Sequence, residues 1–507
     1  SCRMRVVLIF VVLLSAAQPG ASFDFSSISS FWEGVKEKIE TFIRGNGTIT
    51  NEQALLLEKL NSTTSEMGDF HERLKEIRKL VRDQLKSAEN SIDKKALEKM
   101  LKKFGNRIRQ HIRKTGDNLE EVNANLNVAD QYYQGDMILT NQQMDQMDQS
   151  VNKRQAFVDG TVGRRWGTVY YSFAAGIKAH TRTVAEMAIK FWQANTCVNF
   201  AFSETQARRI NVFEGQGCYS YVGSIGRMQE LSLGQGCDSF GTAAHEFGHA
   251  LGFFHAQSRA DRDTAITLIP ANVQNGWLDQ FNKESDRTNN NFGMPYDYGS
   301  VMQYAGTSAS RNGQPTMMAK VPQYQDTMGS DIVSFVDVSM MNTLYGCKEK
   351  CASSPTRCQN GGFPHPRDCT KCLCPAGFGG NFCNERPTGC GETLVATKAA
   401  KTLSYKVGNG QFSEKDEFVF CNWMITAPAA TDRIQVTITS YARNACTSGC
   451  VYGGVELKWR RDPTLSGSRY CCPNDVNESV TSESNILPVI GYNRYGAESF
   501  TLTYRIL

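Results

Sequence analysis

Between Ala16 and Thr196 the 507-residue chain has no cysteine. Disulfides are therefore excluded from that stretch, and the chain divides into regions with different stabilising strategies. After the apolar run at residues 6–14, no stretch approaches the roughly twenty apolar residues of a membrane-crossing helix, so no membrane span is expected. Charge of one sign is also lacking. The 55 basic and 51 acidic side chains leave a formal charge of +4, which makes no electrostatic case for nucleic acid, and no such partner is expected. Histidine is scarce, with seven in the whole chain.

Three of those seven stand within eleven residues, His245, His249 and His255, in the pattern H-E-x-x-H-x-x-G-x-x-H. On a helix, His245 and His249 lie one turn apart on the same face, so two imidazole nitrogens converge on one ion. Glu246 projects beside them, placed to take a proton from an activated water. Gly252 permits a left-handed exit from the helix, with no Cβ in the way, and the turn returns His255 as a third ligand. Three neutral ligands leave a fourth position open, which is the arrangement of a catalytic zinc site. The competing readings are ordinary core histidines or a closed structural site, but no nearby cysteine supplies a fourth ligand at finger-like spacing.

The length suggests three or four domains. Arg3 and Arg5, the apolar run and the small residues Ser15, Ala16, Ala17 and Ala21 have the order of a secretory signal peptide over 1–21, with extra residues ahead of Met4. Cys2 falls there; the other sixteen cysteines begin at Cys197, an even number suited to disulfides in an oxidising compartment. A secreted, extracellular protein is expected. Residues 22–154 mix acids and bases, with little proline. Met67, Phe70, Leu74, Ile77, Val81 and Leu85 mark an amphipathic helix there. Asn46, Asn61 and Asn477 head N-x-S/T acceptor triplets for glycosylation. Lys153-Arg154 precedes a change of composition and is a candidate site for cleavage between Arg154 and Gln155. Residues 155–347 alternate strands (166–173, 198–202) with helices (184–192, and the histidine helix capped by Ser239 or Thr242), as in an α+β domain. Six cysteines crowd into 348–384, and short strands with turns fill 390–507, suggesting a β-sandwich.

The histidine motif, with Ser300-Val301-Met302-Gln303-Tyr304 downstream, resembles the metzincin zinc proteases and specifically the astacin family. Gln229-x-Leu231-Ser232-Leu233-Gly234-x-Gly236-Cys237, Ser258-Arg259-x-Asp261-Arg262-Asp263, Tyr296-Asp297-Tyr298-Gly299 and Leu344-Tyr345-x-Cys347 complete the match. The resemblance implies one Zn2+ per subunit on His245, His249 and His255. It also implies a methionine turn at Met302, a Tyr304 hydroxyl that stabilises the oxyanion, and disulfides Cys197–Cys347 and Cys218–Cys237. Residues 219–226 would form the edge along which a protein or peptide substrate lies. The cysteine cluster resembles an EGF-like module, implying pairs Cys351–Cys369, Cys358–Cys372 and Cys374–Cys383. The tail resembles a CUB domain, implying Cys390–Cys421 and an extracellular protein partner; Cys446, Cys450, Cys471 and Cys472 give two more bonds of open pairing. The expected fold is thus multidomain: a largely helical propeptide, an α+β metzincin-like catalytic domain, an EGF-like module and a β-sandwich. As a whole it resembles the astacins abundant in nematodes.

Tyr133-Gln134-Gly135-Asp136 resembles the astacin propeptide's Phe-x-Gly-Asp, with tyrosine for phenylalanine. It implies that Asp136 ligates zinc in a zymogen. Astacins usually place glutamate after the third histidine, where it anchors the mature N-terminus; Ala256 stands there instead, so that ion pair is not expected. Gln303 replaces a frequent histidine, with little expected consequence. The function implied is a secreted zinc endopeptidase that uses Glu246 as general base on matrix, cuticle or dietary proteins. The alternative is a catalytically inactive extracellular protein that binds through its EGF-like and CUB modules.

Overall fold

The computed structural model describes residues 69–71, 73–75, 94–105, 107, 109–144, 165–284, 289–442 and 445–507. The expected signal peptide, Asn46, Asn61 and the Arg154–Gln155 bond lie outside them, as does most of the helix expected from Met67 to Leu85. Phe70 and Leu74 of that pattern are described, and both are buried.

The N-terminal segment contributes helices α1 (Lys94–Phe104) and α2 (Leu119–Asn125) and a two-residue strand β1 (Met137–Ile138). The following region builds β2 (Thr168–Phe173), α3 (Ala179–Asn195), β3 (Asn199–Phe202), β4 (Ile210–Phe213), β5 (Cys218–Tyr221) and β6 (Gln229–Leu233). With β1 these strands form one sheet in the order β1-β5-β6-β4-β2-β3. β5 runs antiparallel to β6, and β1 pairs parallel to β5, with Met137 opposite Ser220. The edge expected to receive a substrate is thus covered by the chain's own N-terminal segment.

On α3, Val184, Ala185, Ala188, Ile189 and Trp192 recur every three or four residues and are buried, an apolar stripe turned inward. It packs on α4 (Phe240–Leu251), of which every residue after Phe240 is buried. The Trp192 indole N–H donates to Ala244 O at 3.1 Å, and that of Trp166 to Ala250 O at 2.8 Å, so both aromatic anchors grip the buried helix. Strands β7 (Ile266–Leu268) and β8 (Met317–Ala319) form a small second sheet. Helix α5 (Phe335–Leu344) closes the region, and disulfides Cys197–Cys347 and Cys218–Cys237 bind it.

A hairpin of β9 (Phe363–His365) and β10 (Asp368–Leu373) follows, held by Cys351–Cys369, Cys358–Cys372 and Cys374–Cys383. Arg367 pins it to the preceding region by donating to the carbonyls of Gln193, Thr196 and Val198. The C-terminal strands are β11 (Thr393–Val395), β12 (Lys401–Gln411), β13 (Val419–Thr426), β14 (Ile434–Ala442) and β15 (Gly453–Leu457). β16 (Ser468–Tyr470), β17 (Ser479–Thr481), β18 (Ile486–Asn493) and β19 (Gly496–Ile506) complete them. They form two sheets, β11-β13-β18-β15-β16 and β12-β19-β14-β17. Trp423, Ile425, Val436, Ile438, Val489 and Leu502 fill the space between these sheets. Alternating inward residues on both make this a β-sandwich. Cys390 pairs with Cys421, and the two bonds left open by the sequence are Cys446–Cys472 and Cys450–Cys471. Among the described residues no helix is long and apolar enough to cross a membrane.

Candidate metal centre and active site

Helix α4 starts at Ser239, whose hydroxyl accepts from Thr242 N at 3.2 Å and satisfies one of the free N–H groups of the first turn. It stops at Gly252, whose φ of 119° only glycine adopts without strain. The N–H groups of Gly252 and Phe253 cap the last turn on His249 O and Gly248 O. The chain then doubles back, bringing the His255 ring within 4.8 Å of that of His249, while the His245 and His249 rings lie 4.6 Å apart.

Each imidazole is fixed through Nδ1. That of His245 lies 2.7 Å from Val301 O, that of His249 2.8 Å from Phe253 O, and that of His255 3.1 Å from the side-chain oxygen of Gln134. All three partners are acceptors, so Nδ1 carries the proton and Nε2 presents a lone pair. The three Nε2 atoms converge on the carboxylate of Asp136, whose Oδ2 is 3.0 Å from His245 Nε2 and 3.1 Å from His255 Nε2. Its Oδ1 is 3.5 Å from His249 Nε2. The Nε2 atoms of His245 and His255 are 3.3 Å apart. Four buried lone-pair donors facing one another repel unless a cation stands among them. Ligands about 2 Å from a tetrahedral zinc are separated by about 3.3 Å, so this donor set fits the metal.

Both carboxylate oxygens of Glu246 are fully buried beside this cluster without a hydrogen-bond partner among the described residues. Burial, and then the charge of Asp136, push its carboxyl well above the ordinary range. The Tyr304 hydroxyl lies 2.8 Å from Asp136 Oδ2 and 2.9 Å from Gln134 O, donating toward both. Met302 lies beneath, at Gly248, and its carbonyl accepts from Ala256 N at 2.8 Å. Buried Asp337 holds this loop from α5, accepting from Ser300 Oγ at 2.5 Å and from Val301 N at 2.9 Å. Since Val301 O orients His245, Asp337 is one bond removed from a candidate ligand.

Other partners had no sequence signal. Asn123 bonds Cys218 on β5 through both side-chain atoms (2.8 and 2.7 Å), and Gly135 O at 2.9 Å. Glu120 accepts from Ala305 N at 2.8 Å. Tyr133 donates to Glu284 at 2.6 Å, which a phenylalanine there would not do. Gln303, which replaces a frequent histidine, accepts from the Tyr296 hydroxyl and donates to Tyr304 O, so it sets the backbone that carries Tyr304. Asn477 is exposed, in the turn before β17.

A family model described as Astacin, a peptidase family, matches residues 160–346. Zinc metalloproteinase nas-31 of Caenorhabditis elegans is 45% identical over 410 residues, covering 78% of this chain and 67% of the relative. Zinc metalloproteinase nas-17 of the same organism is 33% identical over 401 residues, covering 78% of this chain and 90% of the relative. Among solved structures, high choriolytic enzyme 1, a hatching enzyme zinc-protease from Oryzias latipes, is 28% identical. It covers 38% of this chain and 99% of its own, with a TM-score of 0.35. With the motif at residues 245–255 lying inside the matched region, the chain belongs to the astacin family of zinc metalloproteinases.

Proposed function

We propose that this protein is a secreted zinc endopeptidase made as a zymogen. Residues 22–154 are its propeptide, 155–347 its catalytic domain, 348–384 an EGF-like module and 390–507 a CUB domain. The observation that carries this reading is the convergence of His245, His249, His255 and Asp136, with the Tyr304 hydroxyl on the same carboxylate oxygen. The eight disulfides are in keeping with an oxidising, extracellular setting.

In the active form His245, His249 and His255 would hold one zinc ion, which would supply Lewis acidity toward water and the scissile carbonyl. Glu246, beside the histidines, takes the water proton and delivers it to the leaving amine. Tyr304, freed from Asp136, donates to the developing oxyanion. An extended substrate pairs with the β5 edge once β1 has left it. Asp136 closes the site in the precursor by occupying the position that substrate and water need. Ala256 offers no carboxylate to a new N-terminus at Gln155, so activation proceeds without that ion pair. The substrates are extracellular proteins of matrix, cuticle or diet.

The test is hydrolysis of an unfolded protein by material cleaved at Arg154. Activity is expected after cleavage and is abolished by chelation and by Glu246→Gln. Processed, zinc-loaded protein that binds partners but cleaves nothing would instead establish a binding protein acting through its C-terminal modules.

A further inference from the structure

The N-terminal segment is also gripped far along the chain from Asp136. The Arg107 side chain, 2% exposed, lies between two carboxylates from different parts of the molecule. One is Asp326, in the segment between β8 and α5; the other is Asp475 of the sandwich, 2.7 Å away. Arg109 donates to the second oxygen of Asp326 at 2.8 Å, so that carboxylate faces two arginines. Phe104 covers the Arg107 guanidinium at 4.9 Å. Gln110 N donates to Cys446 O at 2.8 Å. Arg113 makes a two-pronged pair with Glu414 of the sandwich, at 2.8 and 2.5 Å, and Tyr452 donates to Asp117 at 2.6 Å.

One of the three acids, Asp475, is positioned independently of this segment. Asp475 accepts from Cys471 N and Cys472 N, which both belong to the disulfide pairs at the sandwich end. The two walls of the junction are joined by their own contacts: Arg469 to Ser330 at 2.5 Å, Arg494 to Asp331 at 2.5 Å, and Ser466 to Asp297 at 3.0 Å. On departure of the segment, Asp326 and Asp475 lose their guanidinium partners and Glu414 keeps only Arg494, at 3.6 Å, so a groove held by these wall contacts favours a guanidinium. Its acids demand a cation, and their spacing suits a planar, forked donor better than a point charge.

We propose that the junction between the catalytic domain and the sandwich is a second peptide-binding site, separate from the catalytic cleft, that takes an extended arginine-bearing peptide. The segment carrying Arg107, Arg109 and Arg113 fills it in the precursor, and in the processed enzyme it is open to arginine-bearing segments of a protein substrate. This rests on the reading of residues 22–154 as a removable propeptide. It differs from that reading in making the sandwich part of both latency and substrate choice.

The probe is a fluorescent peptide of residues 104–118, which stops short of Gln134 and Asp136. Anisotropy with the processed full-length enzyme is expected to show saturable binding. Arg107→Gln with Arg109→Gln in the peptide weakens it at least tenfold, and so does Asp326→Asn in the enzyme. Hydrolysis of a short peptide substrate lacking arginine is unchanged by Asp326→Asn, which shows that the variant is folded, and by the probe. No binding, equal binding of the glutamine peptide, or inhibition of short-substrate hydrolysis by the probe overturns the site. For the two sources of arginine, slowed cleavage of an arginine-bearing protein by Asp326→Asn supports the substrate arm; unchanged cleavage overturns that arm and restricts the site to the propeptide. Binding is read without turnover, so an enzyme that binds the probe but hydrolyses nothing refutes the protease reading and leaves the site standing.

Discussion

Met302 packs so closely on Gly248 that a Cβ added to the glycine would stand 2.9 Å from the methionine sulfur. A side chain at the position just before His249 therefore requires Met302 to shift. Gly248→Ala is expected to destabilise the protein by roughly 1–3 kcal/mol through overpacking. In a Met302→Ala background the same substitution costs less, because the sulfur it meets is gone. Chemical denaturation of the two single variants and the double variant measures this coupling; purely additive losses would refute the contact.

Glu246 and Tyr304 are expected to separate kinetically while sparing the metal. Glu246→Gln lowers kcat/KM by roughly 10²–10⁴ as a lost general base. Tyr304→Phe lowers kcat by about 10²–10³ as a lost oxyanion donor, with KM little changed. Zinc content, measured on the same preparations, stays at the parent level in both. Loss of zinc from Tyr304→Phe would make the tyrosine a ligand rather than a donor.

Burial pushes the Asp337 carboxyl up to about 6, against the hydrogen bonds from Ser300, Val301 and Ser334 that favour its charge. Its folded value lies above its unfolded one, so the stability linked to it is fully present below about pH 4 and is lost as pH rises through about 6. Asp337→Asn is expected to flatten the stability profile between those limits. Urea midpoints measured at half-unit intervals give the slope; an unchanged slope would show that Asp337 does not titrate in this window.

The two disulfides of the catalytic domain differ in the loops they close. Cys197 and Cys347 are 150 residues apart, Cys218 and Cys237 only 19. Chain entropy alone assigns about 5 kcal/mol to the first and about 3 kcal/mol to the second. Replacing each pair by serine should therefore lower thermal stability more for the long loop. The reverse order in calorimetry would mean that local packing around Cys218, where Asn123 also binds, outweighs loop closure.

Short-range spacing made the centre of the site legible. His245, Glu246, His249, Gly252 and His255 lie within eleven residues, and a helix with one left-handed exit has few ways to arrange them. The span from Val184 to Trp192 was legible as a helix, and the strand patterns agree with the structure to within a few residues of their ends. The bonds of Gln303 to Tyr296 and Tyr304 were not legible, because the Tyr296 ring reaches it only through the folded loop. The three histidine donors of the metal centre could be read from short-range periodicity, which places those side chains without help from distant parts of the chain. Folding over long distances was needed to bring β1 onto the β5 edge, Gln134 to His255, and Arg107 between Asp326 and Asp475. Those partners lie from about eighty to several hundred residues apart, single polar residues carry no periodic signal, and burial alone turns each pairing into a requirement.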